Sequence, residues 1–341
     1  GMNLSRIYTI RARQAGYTNT VSVGRVQTPT MGLVIRREIE IRQFRPVTFF
    51  TPMILWQHEN GGFLTKWQPR DFDGVDQEGR IVEKDIAERI LMKVKNTPAQ
   101  ISGVEQTKGT HLQRLPYSLS ALQIDAGKLF GYSPQDVLDT QQALYEKKYT
   151  SYPRSDCDYL PENQLADKEK ILENLAALSA PFSEPAEKAD RTIKSRAWND
   201  KKISAHHAII PTTIRPDYNA LKEMEKNLYT LIAKAYIAQF HPPQEFLTTK
   251  IRVSVGEETF TASGKVILRN GWKELYQNQT DGKAEEDIGQ AQHLPSVHEG
   301  DSVIYQDGKI QESVTKPPPR FTPATLLKAM KEIYKYVKDR Q

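Results

Sequence analysis

The chain reads as a mixed α and β protein divided into several domains, and three observations carry that expectation. Its 341 residues are more than one modest core ordinarily organises. Helical and strand-like textures follow one another in long blocks instead of alternating element by element. A proline run, KPPPR at 316–320, sets the last strand-like block apart from a closing helical stretch. Apolar residues make up 38% and charged residues 26%, which suits several modest cores with much exposed surface.

The elements follow in order. NLSRIYTIRARQAGY predicts a helix with Asn3 as N-cap and Gly16 as its stop. TPTMGLVIRREIEI predicts a second, with Thr28 as cap and Pro29 in its first turn. From Pro46 the period changes: VTFFTPMILW, GFLTKWQ and AQISGVEQT are expected as strands, with a helix over IVEKDIAERILMKVKN. RDFDG at 70–74 is expected as a turn and not as a metal site. A helical block begins at SLSALQIDAGKLF, where Leu119, Leu122, Ala126, Leu129 and Phe130 share a face. SPQDVLDTQQALYE, PENQLADKEKILENLAAL and NALKEMEKNLYTLIAKAYIAQF continue it, the first opened by Ser133 and Pro134. After His241 the strands return in EFLTTKIRVSV, ETFTASGKVIL and DSVIYQDGKIQES, and ATLLKAMKEIYKYV closes the chain as a helix. A helical module nested in a β module, itself nested in a helical base, is the simplest arrangement of these blocks.

The net charge of +5 is unevenly spread. Residues 1–45 hold eight arginines against Glu38 and Glu40, a local +6. Residues 191–215 and 316–340 each carry a local +5, while 156–190 and 270–302 are acidic. Such segments form a polyanion site only where folding joins them; apart, they are solvated surface. No run approaches the ~18 apolar residues of a membrane span, and the single cysteine cannot close an internal disulfide. A reducing, cytoplasmic setting without membrane contact is the expectation.

The stretch TSYPRSDCDYLP, at 150–161, is the chemically suggestive one. A phenol with a pKa near ~10 is a poor nucleophile at neutral pH unless positive charge or a base assists it. Arg154, two residues beyond Tyr152, offers such a charge and a fork for phosphate oxygens. Pro153 holds Tyr152 extended. Equally, Tyr152 could pack on a helix while Arg154 pairs with Asp156 or Asp158, and these residues alone leave both arrangements open. A cysteine-phosphatase loop is excluded, because the sixth residue after Cys157 is Asn163 and not arginine. A tyrosine recombinase would place its histidine and arginines ahead of the tyrosine, whereas here AHHAIIPT follows at 205–212. SVGRVQTPT sets Arg25 and Gln27 against a helix N-terminus, where unpaired N–H groups favour anions. LPYSLSALQ presents Gln123 on a helix.

Together, SVGRVQTPT, LPYSLSALQ, GYSPQDVLDTQQALYE, YTSYPRSDCDYLP, WNDKKISAHHAIIPT and PPPRFTPATLLKAM resemble, in order, the type IA DNA topoisomerases, and most of all their topoisomerase III branch. The resemblance implies part of a toroid. Residues 1–44 and 317–341 would belong to a helical DNA-binding base, 45–111 and 241–316 to a β-rich arch, and 112–240 to a helical gate. It also implies that Tyr152 cleaves single-stranded DNA through a 5′-phosphotyrosyl link and that another strand passes before ATP-independent resealing. Arg154 would steady the scissile phosphate, and Arg25, Gln27, Gln123, His206 and Thr212 would contact the single strand.

The family's Toprim domain, whose acidic cluster binds Mg²⁺, has no counterpart in these residues. The chain is therefore expected to bind single-stranded DNA as a monomer, to hold no Mg²⁺ itself, and to need that domain in cis or in trans to relax DNA. The alternative is a non-catalytic single-stranded-DNA-binding module that shares the family's scaffold.

Overall fold

The computed structural model describes residues 1–69, 74–203, 205–276 and 292–336. Helices α1 (Met2–Gln14) and α2 (Gln27–Gln43) open the chain. Strands β1 (Thr48–His58) and β2 (Gly61–Trp67), helix α3 (Lys84–Val94) and strand β3 (Ala99–His111) follow. The helical block contains α4 (Leu119–Phe130), α5 (Pro134–Glu146), α6 (Lys168–Ala176), the short α7 (Ser183–Glu187) and α8 (Glu223–Ile237). Strands β4 (Gln244–Val255), β5 (Glu258–Arg269) and β6 (Ser302–Val314) lead to α9 (Pro323–Lys331). Of RDFDG, only Gly74 lies within the described residues. None of the described helices is long and apolar enough to cross a membrane.

Two helix starts differ from expectation. No side chain caps α1, which begins at Met2 with Asn3 already inside it. In α2 the helix starts at Gln27, so Thr28 is a first-turn residue, and its hydroxyl accepts from the Gly24 N–H at 3.1 Å. By contrast, Ser133 accepts from the Asp136 N–H at 3.1 Å, the N-cap its sequence signalled.

The six strands close into an antiparallel barrel in the order β1-β2-β5-β4-β3-β6. Closure removes the sheet edges that would otherwise stand open. Its long seams are β1–β6, β3–β4 and β4–β5, each bent by a register shift. The β3–β6 seam that completes the ring pairs only Ala99 with Val303 and Gln100 with Ser302. Ile54, Trp56, Phe63, Ile251, Val253 and Phe260 fill the inside, and α3 packs Ile86, Ala87, Ile90 and Val94 against them. Trp56 meets Phe260 and Tyr305 edge to face, and its indole N–H donates to Thr65 Oγ1 at 2.8 Å.

The helical block has a core of its own around α8, which is buried on most of its circumference from Leu228 to Ile237. The chain enters this block after β3 and leaves it before β4, and the two crossings are tied together. Gln113 donates to His241 O at 2.6 Å, and Gln239 donates to Arg114 O at 2.7 Å. Beside them Arg114 pairs with Asp125, which also accepts from the Tyr117 hydroxyl at 2.9 Å. Burial raises the Tyr117 pKa well above its ordinary value, so this phenol stays a donor.

The two ends of the chain meet in a third group. Arg37 lies 4.3 Å over the Phe321 ring, Arg320 bonds Glu38 at 2.7 Å, and Thr30 bonds Met330 Sδ at 3.2 Å, joining α2 to α9. The other face of α9 meets α4: a Cβ on Gly127 would lie 3.1 Å from that of Ala324. Thus the N-terminal and C-terminal basic segments pack together. In 191–215, by contrast, Arg191 and Lys194 are paired at 2.6 Å to Glu169 and Glu162 within the helical block.

The crossing makes one position sharply testable. Gly271 has φ +55, and a Cβ there would fall 2.2 Å from Pro242 O. Gly271→Ala should cost about 2 kcal/mol or more, through the clash and the left-handed backbone. Urea unfolding followed by circular dichroism measures this, and an unchanged midpoint would contradict the close approach.

Candidate active site

The loop carrying Tyr152 is bound on both flanks. Helix α5 ends at Glu146 and Lys148 takes φ +62, a left-handed conformation that reverses the chain. After the reversal, buried Gln141 donates to Thr150 Oγ1 at 2.9 Å, tying the loop back to α5. Ser151 then grips the segment that follows the histidines. Its N–H donates to Ile210 O at 2.9 Å, while its hydroxyl donates to Ala208 O at 3.1 Å and accepts from the Ile210 N–H at 3.0 Å. Beyond the tyrosine, Ser155 O accepts from the Leu119 N–H at 2.8 Å, and Asp158 accepts from the Ser118 N–H at 2.9 Å. Pro153, Ser155 and Cys157 are buried, whereas Tyr152, Arg154 and Asp156 between them are exposed. Buried anchors alternating with exposed polar side chains present chemistry on a rigid frame.

Tyr152 is 37% exposed, and its ring stacks on His206 at 4.4 Å with 19° between the planes. Tyr145, from the last turn of α5, meets the same ring at 5.9 Å and 90°. Among the described residues, neither the Tyr152 hydroxyl nor the Arg154 guanidinium has a hydrogen-bond or ion-pair partner. The pairing of Arg154 with Asp156 or Asp158 that the sequence left open is therefore not made. Instead, Asp158 faces Lys331 of α9 at 3.8 Å.

The two adjacent histidines separate. His206 is exposed, while His207 is half-buried, with Nδ1 2.8 Å from Ala208 O and Nε2 2.9 Å from Gln164 Nε2. A carbonyl can only accept, so Nδ1 carries the proton and Nε2 accepts from the Gln164 amide, which is the neutral ring. Burial pulls the His207 pKa below its ordinary value, and the neighbouring His206 adds to this against the bond to Ala208 O.

The remaining sequence-selected residues divide by what already holds them. Arg25 is exposed just ahead of α2, whose N-terminus no side chain caps. Gln27 is exposed and accepts from the Ser22 hydroxyl at 3.3 Å. Gln123 donates to Pro134 O at 2.8 Å, bracing α4 against the start of α5. The Thr212 hydroxyl donates to Lys148 O and accepts from the Ile214 N–H at 3.1 Å, so it secures the reversal before the loop. Packing links the groups: α2 lies on α9, α9 on α4, and the start of α4 holds the tyrosine loop. Tyr145, Gln141 and Lys148 have no distinguishing signal in the sequence, because only the reversal brings them to the loop.

The neutral His207 sets a pH dependence. Its folded pKa lies below the unfolded value of 6.5, so the unfolded chain binds the proton first as pH falls. Stability should be unaffected by this group above pH 6.5 and decline below it, until the folded pKa is passed. His207→Gln should flatten that decline in urea midpoints taken between pH 7.5 and pH 5; identical profiles would remove His207 as the cause.

The fold agrees with that of a known protein, and the sequence with a known family. A family described as DNA topoisomerase matches residues 1–334. DNA topoisomerase 3 of Haemophilus influenzae is 39% identical over all of this chain and 54% of its own length. Its namesake in Vibrio cholerae is also 39% identical, over all of this chain and 53% of its own length. That of Bacillus subtilis is 34% identical over 97% of this chain and 44% of its own. The chain thus spans about half the length of the curated relatives it matches. In structure, full-length topoisomerase I from Thermotoga maritima shares the fold, with a TM-score of 0.64 and 21% identity over 92% of this chain and 49% of that one. With the family matched over residues 1–334 and the relatives named topoisomerase 3 covering the whole chain, this protein belongs to the type IA DNA topoisomerases, on their topoisomerase III side.

Proposed function

We propose that Tyr152 is the nucleophile of a single-strand cleavage and resealing reaction. The observation that carries this reading is its exposed phenol, unbonded among the described residues and held on a loop pinned on both sides. The phenolic oxygen attacks a DNA phosphorus, the P–O3′ bond breaks, and the strand is left as a 5′-phosphotyrosyl ester with a 3′-hydroxyl. One phosphodiester replaces another, so the reverse attack reseals the strand without ATP. The phenol gives up a proton in the first step and the 3′-oxygen takes one up. Arg154, free and two residues away, supports the charge on the phosphate.

Arg25, Gln27 and His206 are the exposed groups offered to single-stranded DNA. Gln123 and Thr212 contribute only the capacity their internal bonds leave. On this reading residues 1–44 and 317–341 serve as DNA-binding base, 45–111 and 241–316 as arch, and 112–240 as the moving gate, acting as a monomer in the cytoplasm. Mg²⁺ does not fit the residues described: no group of three or more His, Cys, Asp or Glu side chains among them is placed to hold a metal ion. Relaxation of DNA is therefore assigned to this chain only together with an acidic, metal-binding Toprim domain.

Covalent trapping tests the reading. The chain is joined behind the N-terminal half of the Haemophilus influenzae relative, mixed with end-labelled single-stranded DNA and Mg²⁺, and denatured. A labelled band at protein size should form, vanish in Tyr152→Phe, and fall by about 10²-fold in Arg154→Ala. Tight single-strand binding that weakens with salt but never yields an adduct would instead identify a binding module.

A further inference from the structure

Among the described residues, the large aromatic side chains of the helical block are buried, as Tyr117, Phe182, Tyr229, Tyr236 and Phe240 are, or half-buried, except Tyr145 and Tyr152. Tyr145 departs from that pattern. It is 41% exposed on the last turn of α5, yet α5 there is firmly mounted: Leu144 is fully buried, and Lys147 bonds Glu225 of α8 at 2.7 Å. What Tyr145 does contact is the ring of Tyr152, at 5.9 Å and 90°. His206 covers the same ring at 4.4 Å, from a different segment. The nucleophile's ring is thus held by two aromatic neighbours carried on separately anchored stretches of chain.

An exposed tyrosine side chain left to itself samples several staggered χ1 wells, and only one of them can aim the phenol at a given phosphate. An aromatic pair favours its joined arrangement by about 2- to 10-fold, and misplacing a nucleophile by ~1 Å costs about 10²-fold in rate. His206 is offered to DNA in the reading above, and a histidine drawn to a phosphate gives up its stack. Tyr145 is then the aromatic wall that remains. We infer that Tyr145 is a positioning residue for the cleavage reaction, fixing the ring of Tyr152 so that its hydroxyl projects to the scissile phosphate. This inference rests on the reading of Tyr152 as nucleophile. Tyr145 acts through that ring and takes no part in bond making.

The test has two arms. In the first, 3-fluorotyrosine is placed at position 152 of the 341-residue chain and followed by fluorine NMR in Tyr145→Ala, Tyr145→Leu and Tyr145→Phe. Circular dichroism first confirms that each variant is folded. Alanine and leucine should both move the resonance toward that of free 3-fluorotyrosine and narrow it, whereas phenylalanine should leave it in place. A resonance unmoved in the alanine and leucine variants overturns the positioning role alone.

In the second arm, the trapping assay on the fused chain is run at saturating single-stranded DNA. Tyr145→Ala should slow adduct formation by about 10-fold with the DNA Kd held within about twofold, and Tyr145→Phe should rescue the rate. A change in Kd with the saturated rate preserved makes Tyr145 a DNA contact and overturns the inference. No adduct from the unsubstituted chain overturns the nucleophile reading itself, and the positioning role with it.

Discussion

The site depends on the three hydrogen bonds that Ser151 makes with Ala208 and Ile210. They join two segments more than fifty residues apart, and Tyr152, Arg154 and His206 sit within a few residues of that joint. On one strand of it is Tyr152; on the other, His206. Net contributions of about 1 kcal/mol per bond would be unremarkable in isolation. Here the bonded groups lie beside a fully buried core, since Ala208, Ile209 and Leu160 are all inaccessible. Leaving one of these part-buried donors or acceptors unpaired would carry part of the desolvation cost of a buried polar group, so the three bonds favour this one arrangement of the loop.

Around that joint, the helical block is fixed to its surroundings in two ways. Its crossings to the barrel interlock through Gln113, Gln239, the Arg114–Asp125 pair and the close approach of Gly271 to Pro242. Its contact with α9 is of another kind: a close approach at the small residues Gly127 and Ala324, and the half-exposed Lys331–Asp158 pair at 3.8 Å. Exposed ion pairs of this kind contribute ~0–1 kcal/mol.

Much of the fold was legible in local pattern. The period changes at Pro46, Leu115 and His241 mark where strands and helices trade places, and Ser133 with Pro134 announces α5 in the manner capping chemistry requires. The misread helix starts have a common cause. Asn3 and Thr28 are good caps by residue type, but a preceding residue could already adopt helical geometry, and α2 begins at Gln27 with no side-chain cap at all. Closure of the strands into a barrel was not legible, because it hangs on two short seams, β2–β5 and β3–β6, each of two residue pairs between segments about two hundred residues apart.

For the site, residue type and spacing by themselves singled out the candidate groups: a tyrosine expected extended before a proline, a nearby arginine, and adjacent histidines. Tertiary structure decided which of those groups stay available. Arg154 is unpaired while Asp158 is taken up by Ser118 and Lys331; His206 lies exposed against Tyr152 while His207 is the one turned inward; Gln123 and Thr212 are already bonded within the frame. It also decided that Tyr145 meets Tyr152, through a chain reversal at Lys148 that no turn residue announces. The division has a physical reason. Local sequence specifies backbone preference and functional groups, whereas hydrogen bonds and ring contacts between distant segments are chosen only once burial has brought those segments together.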